Sequence, residues 1–345
     1  MIMRFLNKIG VAFLFVFGST IAFAQDIHFA QMEYAPLVLN PALAGANSAL
    51  QGSVNYRTQW SAVATPYKTM AAAIDGRLNT SKKNRNGHLV GGLSAYNDQS
   101  GDAKVTSNSI SIALGYHLIL DPTSTLGIAI YTGFGQHGID NNVGRWGSQY
   151  DGMAYVSSLP SGEQQSAAQF SYLDAGAGIV YTYKDRASTM RSNNGKSFNY
   201  GFAMYHLNRP NYSFYNASGE QLYMRFTAFG NGMIGIGDSK WIFNPGIYYQ
   251  RQKTAQELLL GAYFKYQLSD ASHVTAMNKS AYFSVGLFYR TKDALVTKMM
   301  IEWSDYSLGF AYDVNISRLV QVSNARGGAE FFLRYAMTGQ KKWIR

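Results

Sequence analysis

The sequence predicts an all-β protein: a transmembrane antiparallel β-barrel of about 14 strands, with an N-terminal extended segment tucked against or into it. Three observations point there. Charged residues make up only 14% of the 345-residue chain, against about 25% in a typical soluble domain, while aromatics also reach 14%. Period-two alternation of apolar and small residues recurs from about residue 50 onward. The N-terminus carries an export signal, and no apolar run of membrane-helix length follows it.

The same composition removes other classes. With 25 Tyr and 20 Phe the chain is too aromatic to be disordered, and a mean hydropathy of −0.15 is too polar for a bundle of membrane helices. Absence of Cys excludes disulfide scaffolds, thiol catalysis and zinc held on thiolates. Strands wet on one side and lipid-facing on the other fit what is left.

In chain order, residues 1–24 read as a cleaved signal peptide. Arg4 and Lys8 form its basic end, Ile9 to Phe17 its apolar core, and cleavage is expected between Ala24 and Gln25. Removing this leader, which holds two basic and no acidic groups, lowers the formal charge from +10 to +8. An exported chain with no basic helix or zinc finger offers nothing for nucleic acid; the expected surroundings are outer-membrane lipid. Residues 25–48 show no alternation, contain Pro36 and Pro41, and read as an extended, plug-like segment. Residues 49–338 form the barrel and 339–345 a short tail.

Alternation within the barrel is clearest at Tyr306, Leu308, Phe310, Tyr312 and Val314, which oppose Ser307, Gly309, Ala311 and Asp313. Ile110, Ile112, Leu114, Tyr116 and Leu118 likewise oppose Ser111, Ala113, Gly115 and His117. A soluble sandwich would cover its second face with Lys, Glu and Thr. Here that face is small and weakly charged, as inside a barrel, and the apolar face carries terminal aromatics suited to a membrane interface. Fourteen segments are expected, near 50–60, 66–79, 87–97, 104–118, 124–137, 169–184, 197–207, 220–236, 240–251, 256–267, 280–290, 295–303, 305–315 and 327–338.

Connections after even-numbered strands should be periplasmic and short, as at Asp121-Pro122-Thr123-Ser124, Gly237-Asp238-Ser239-Lys240 and Ser304-Asp305. Two longer ones are basic. One holds Lys82, Lys83 and Arg85; the other holds Arg186 and Arg191, with Lys184 and Lys196 at its ends. They read either as solvated turns or as contacts for an acidic periplasmic partner.

Chemistry finds little support. His28, His88, His117, His137, His206 and His273 form no metal-spaced cluster, so no catalytic residue, metal or cofactor is assigned. Gly230-Asn231-Gly232-Met233-Ile234-Gly235 matches a dinucleotide fingerprint literally, but it lies inside a strand pattern with no helix after it. Its glycines are expected to relieve crowding inside the barrel.

A more specific signal lies between Gln25 and Asp75. Gln25-Asp26-Ile27-His28-Phe29-Ala30-Gln31, then Leu39-Asn40-Pro41-Ala42-Leu43-Ala44-Gly45, then Tyr56-Arg57-Thr58-Gln59-Trp60 and Pro66-Tyr67-Lys68-Thr69 resemble the opening of the PorP/SprF family, with Ala30 where Ser is usual. His206-Leu207-Asn208-Arg209-Pro210-Asn211, Glu257 to Tyr266, Tyr289 to Ala294 and Tyr306 to Asn315 resemble its later motifs. The resemblance implies an outer-membrane component of type IX secretion in Bacteroidota, which also serves gliding motility. It further implies a non-enzymatic role, with a secreted adhesin's C-terminal domain or the periplasmic machinery as partner. A core subunit tied to the periplasmic ring is the alternative within that reading, and a diffusion porin the alternative outside it.

Asn40, Pro41, Gly45, Tyr56, Arg57, Trp60, Pro66, Tyr67 and Asp75 are the motif residues. Asn40-Pro41 reads as a helix-excluding turn and Gly45 as the reversal into the first strand. Arg57 should face the lumen, because a charge at the lipid midplane costs about 2–4 kcal/mol. Tyr56 and Trp60 are expected to help it grip the N-terminal segment.

Overall fold

The computed structural model describes residues 26–63, 65–79, 86–140, 146–162, 169–185, 195–215, 219–269 and 280–337. The expected leader with its Ala24–Gln25 cleavage point, Lys82, Lys83, Arg85, Arg186, Arg191, His273 and the tail lie outside these residues.

Among the described residues fourteen strands form: β1 Leu50–Gln59, β2 Tyr67–Arg77, β3 Gly87–Ser100, β4 Val105–Ile119, β5 Ser124–Gly138, β6 Gln169–Asp185, β7 Lys196–Tyr205, β8 Arg225–Gly235, β9 Trp241–Gln252, β10 Ala255–Ser269, β11 Ala281–Arg290, β12 Ala294–Trp303, β13 Tyr306–Asn315 and β14 Arg326–Met337. Each pairs antiparallel with its sequence neighbours. β1 pairs with β14, for example Val54 opposite Leu333, so the sheet closes and has no free edge.

The alternation read from the sequence is realised in space. On β4, Ile110, Ile112, Leu114, Tyr116 and Leu118 are exposed on the outer face, while Ala113 and His117 are buried. On β13, Ser307, Ala311 and Asp313 are buried in the lumen. Turns match their residues. Asp121 accepts a hydrogen bond from Thr123 N at 2.7 Å, and Gly237 takes the left-handed φ of +56° its turn requires.

Two readings need correction here. β8 begins at Arg225, not near 220: among the described residues between Tyr205 and Arg225 the only pairing is an isolated bridge from Asn211 to Gln221. Nor do Gly230 and Gly232 relieve crowding in the lumen. Gly230 and Gly232 lie beneath the rings of Tyr200 and Phe198; a Cβ on Gly232 would come within 2.6 Å of Phe198 Cδ1. Those rings cover the strand from its outer side.

Candidate functional site

The lumen holds the N-terminal segment. It is compact where an extended course was expected, folding into three short helical turns at Met32–Tyr34, Pro36–Leu39 and Pro41–Leu43. The two prolines that argued against helix explain this. Each sits at the first position of its own turn, where its missing N–H has no partner to lose. Asn40 serves the second junction, its side chain accepting from Ala42 N at 2.8 Å while its Nδ2 donates to Ile179 O and Phe202 O. Close approach here needs Gly178 and Gly201, where any Cβ would collide with the Asn40 amide.

The segment crosses the lumen from end to end. Asp26 N donates to Gln252 Oε1 beside the connections that follow odd-numbered strands, and Ala49 N donates to Met337 O at the opposite end. We call these the odd end and the even end. Between them the walls hold the backbone. Thr227 Oγ1 donates to Leu39 O at 2.7 Å, Tyr205 Oη to Leu37 O at 2.9 Å and Lys184 Nζ to Ala46 O at 3.2 Å. His117 Nε2 meets Ala42 O at 2.9 Å, and Asp75 accepts from Gly45 N at 2.8 Å. Gly45 turns the chain toward β1 with φ +63°. Leu39, Ala42 and Leu43 pack with Phe229, Tyr248, Leu259 and Phe288, giving the plug an apolar heart.

Charged groups sit around that heart. Arg57, 1% exposed, donates to His28 O at 2.7 Å and to Asp313 at 2.8 Å, and Asp313 also takes Arg290 at 2.9 Å. Glu330 accepts from the backbone N–H groups of Ala30 and Gln31 at 2.6 and 3.0 Å. Glu33 meets Lys298 at 3.0 Å and Tyr263 Oη at 2.6 Å, while Tyr34 stacks on Phe332 with centroids 3.8 Å apart. At the odd end Asp26 contacts His206 and Arg225, and His206 reaches Asp174 through its other nitrogen at 2.9 Å. Each carboxylate facing the plug thus has a cation or a pair of N–H donors, as burial demands.

The motif residues divide by face. Asn40, Pro41, Gly45, Arg57 and Asp75 meet at the plug. Tyr56 does not grip it: one position from Arg57 on a strand means the opposite side, and Tyr56 is exposed on the outer face. Trp60 follows β1 with φ +57°, rests edge-on against Tyr67 and lines a cleft at the odd end, while Pro66 lies just before β2. Lys184 is no solvated turn residue, since it bonds the plug from within β6.

Asp313, Glu330, Glu33 and Lys298 were not singled out from the sequence. A usable signal existed: each strand charge among them occupies a lumen position, where only a partnered charge is tolerated. What the sequence did not show was the partner, up to 300 positions away.

The odd-end cleft, about 320 Å³, is lined by Asp26, His28, Trp60, Arg225, Glu257 and Arg290 among others. Spaces beside the plug are smaller, about 40 Å³ next to Leu37 and Val38 and about 10 Å³ next to Phe29 and Met32. Among the described residues no group of three or more His, Cys, Asp or Glu is placed to hold a metal.

Solved structures similar to this chain are barrels. The KdgM porin matches with TM-score 0.35 and 10% identity, over 83% of this chain and 99% of its own. A deletion mutant of the TodX monoaromatic hydrocarbon channel matches with TM-score 0.46 and 9% identity, over 87% and 92%. CdiB from Acinetobacter baumannii matches with TM-score 0.42 and 7% identity, over 84% of this chain and 60% of its own. Comparison with curated proteins finds no match. The family described as type IX secretion system membrane protein PorP/SprF matches residues 21–335, so the chain, an outer-membrane β-barrel, belongs to the PorP/SprF family.

Proposed function

We propose that this outer-membrane component of type IX secretion works as a plugged platform that helps secrete or surface-anchor a large adhesin-type cargo. The observation that carries the reading is the occupied lumen. A segment bonded to opposite walls leaves little room for solute, so the working surfaces are the two ends of the barrel. On this reading the odd end, bearing the longest connections, faces outward toward cargo. The even end meets the periplasmic machinery through Lys82, Lys83, Arg85, Arg186 and Arg191, after removal of the leader at Ala24. A core role linked to the ring and motor is the second reading, favoured by the basic character of those turns.

Deleting the gene and comparing secretomes tests the reading. Loss of one large surface adhesin supports the dedicated role, and loss of all type IX cargo supports the core role. An unchanged secretome overturns both. Purified protein in planar bilayers addresses the porin alternative, since stable, large conductance from the intact chain contradicts a plugged platform. Charge reversal of Lys82, Lys83 and Arg85 should weaken periplasmic association while leaving the barrel folded; unimpaired secretion after it removes that contact.

A further inference from the structure

We propose that the odd-end rim of β9–β14 is a binding belt for the phosphorylated glycolipid headgroups of the outer leaflet. Five cations lie along three successive odd-end connections. Arg251 is near the end of β9, Lys253 in the turn after it, Lys292 in the β11–β12 turn, Arg318 in the β13–β14 connection and Arg326 at the start of β14. Arg251, Lys292, Arg318 and Arg326 are exposed. Among the described residues none of these four forms an ion pair; Glu257 and Asp313 turn inward, and Asp293, partly exposed in the turn beside Lys292, is taken by Arg290. Lys253 donates to Tyr223 Oη at 2.8 Å and stands 4.0 Å over that ring.

Position gives the belt its chemistry. Arg251 shares the outer face of β9 with Tyr249 and Ile247, so its charge lies directly beyond the lipid-facing band. Arg326 is paired with Val314, on the outer face of β13. The connection carrying Arg318 also exposes Ile316, Val320 and Val322, the mixture of apolar and basic groups found at membrane interfaces. Across the barrel the corresponding outer positions of β3 and β4 hold neutral amides, with Asn97 Nδ2 donating to Asn108 Oδ1 at 2.6 Å. Lys68, Lys104 and Arg209 are also exposed at the odd end, but singly, one to a connection, whereas the five cations of β9–β14 fall on three adjacent connections. Arginine forks and lysine ammonium groups both suit phosphate, and their apolar stems can lie along acyl chains. A ligand with phosphates at the belt and acyl chains against the Tyr and Leu band below satisfies both halves of this surface. A free anion would engage only the upper half.

The test uses the full chain in phosphatidylcholine nanodiscs, with diphosphoryl lipid A as probe and its dephosphorylated form as comparator. The wild-type chain should retain the diphosphoryl form preferentially. Combined Arg251→Gln, Lys253→Gln, Lys292→Gln, Arg318→Gln and Arg326→Gln should weaken retention about tenfold or more, while Lys68→Gln with Lys104→Gln on the other sector changes nothing. Heat-modifiable gel mobility establishes that each variant is folded; if the fivefold variant misfolds, Arg251→Gln with Arg326→Gln should still lower retention. Equal retention of the two lipids, unchanged retention in the folded variants, or displacement by equimolar inorganic phosphate overturns the proposal. So does loss of a surface protein with lipid binding intact, which would assign the belt to an acidic protein partner.

Discussion

Asp26 Oδ2 and His206 Nε2 lie 2.5 Å apart although 180 positions separate them, tying the start of the plug to the connection after β7. Burial works against the imidazolium of His206, but the Asp26 carboxylate and the hydrogen bonds to Asp174 and Asp26 outweigh it and raise the group to about 9. Two residues along, His28 behaves oppositely: burial, then Arg57, Arg290 and Arg225, hold it well below its usual range.

The signs set a pH optimum for plug attachment. His206 has a raised value, so its contribution is full below 6.5 and is lost as pH rises through about 9. His28 has a depressed value, so its contribution is full above 6.5 and is lost as pH falls below that. Hydrogen exchange of residues 26–31 should therefore be slowest near neutral pH, relative to intrinsic rates. His206→Asn should flatten the alkaline limb alone, and His28→Asn the acid limb alone. A single variant that flattens both limbs, or neither, contradicts the assignment.

Arg57 should matter more than its motif neighbours. Replacing it with Ala leaves Glu330 without its nearby guanidinium and His28 O without a donor, and removes one of the two cations on Asp313. Breaking a buried ion pair from one side costs about 3–5 kcal/mol, so Arg57→Ala should lower the urea midpoint of the barrel clearly. Tyr56→Ala, on the outer face, should change it by a fraction of that. Comparable losses from both would argue that Arg57 contributes packing alone.

The barrel was legible in the sequence because its rule is local. Alternation at Tyr306–Val314 or Ile110–Leu118 states which side chains face lipid, and tight turns such as Asp121–Ser124 state where the chain reverses. The plug's shape was not legible, because Pro36 and Pro41 exclude helix interiors yet favour helix starts, and only the surrounding wall selects the second. Its partners were hidden for a related reason. Glu330 and Lys298 can be seen to need a counter-charge, but backbone N–H groups of Ala30 and Gln31, or Glu33, are supplied by closure of the whole ring.

Gly178 tests the fit of plug to wall. A methyl group there would meet the Asn40 amide and Pro41 Cδ, so Gly178→Ala should loosen the Pro41–Leu43 turn at a cost of about 1–3 kcal/mol. Asn40→Ala loses the cap and the bonds to Ile179 O and Phe202 O but frees that space. The double variant should be less damaged than the two single effects summed, read as protease sensitivity of the plug or as conductance in planar bilayers. Strict additivity would mean that the two residues do not share this space.

Leu114 tests the assignment of faces to lipid. It occupies the middle of the outer row Ile110, Ile112, Leu114, Tyr116 and Leu118, with buried Ala113 beside it on the lumen side. An Arg at the bilayer midplane of a barrel costs about 2–4 kcal/mol, falling to about 0–1 kcal/mol near the interface. Leu114→Arg should therefore destabilise the barrel in bilayers by several times as much as Leu118→Arg, which lies one residue from the end of β4. In neutral detergent the gap should narrow, because a micelle deforms around the charge more readily than a bilayer does. Equal penalties at the two positions in bilayers would place the hydrocarbon band elsewhere on β4.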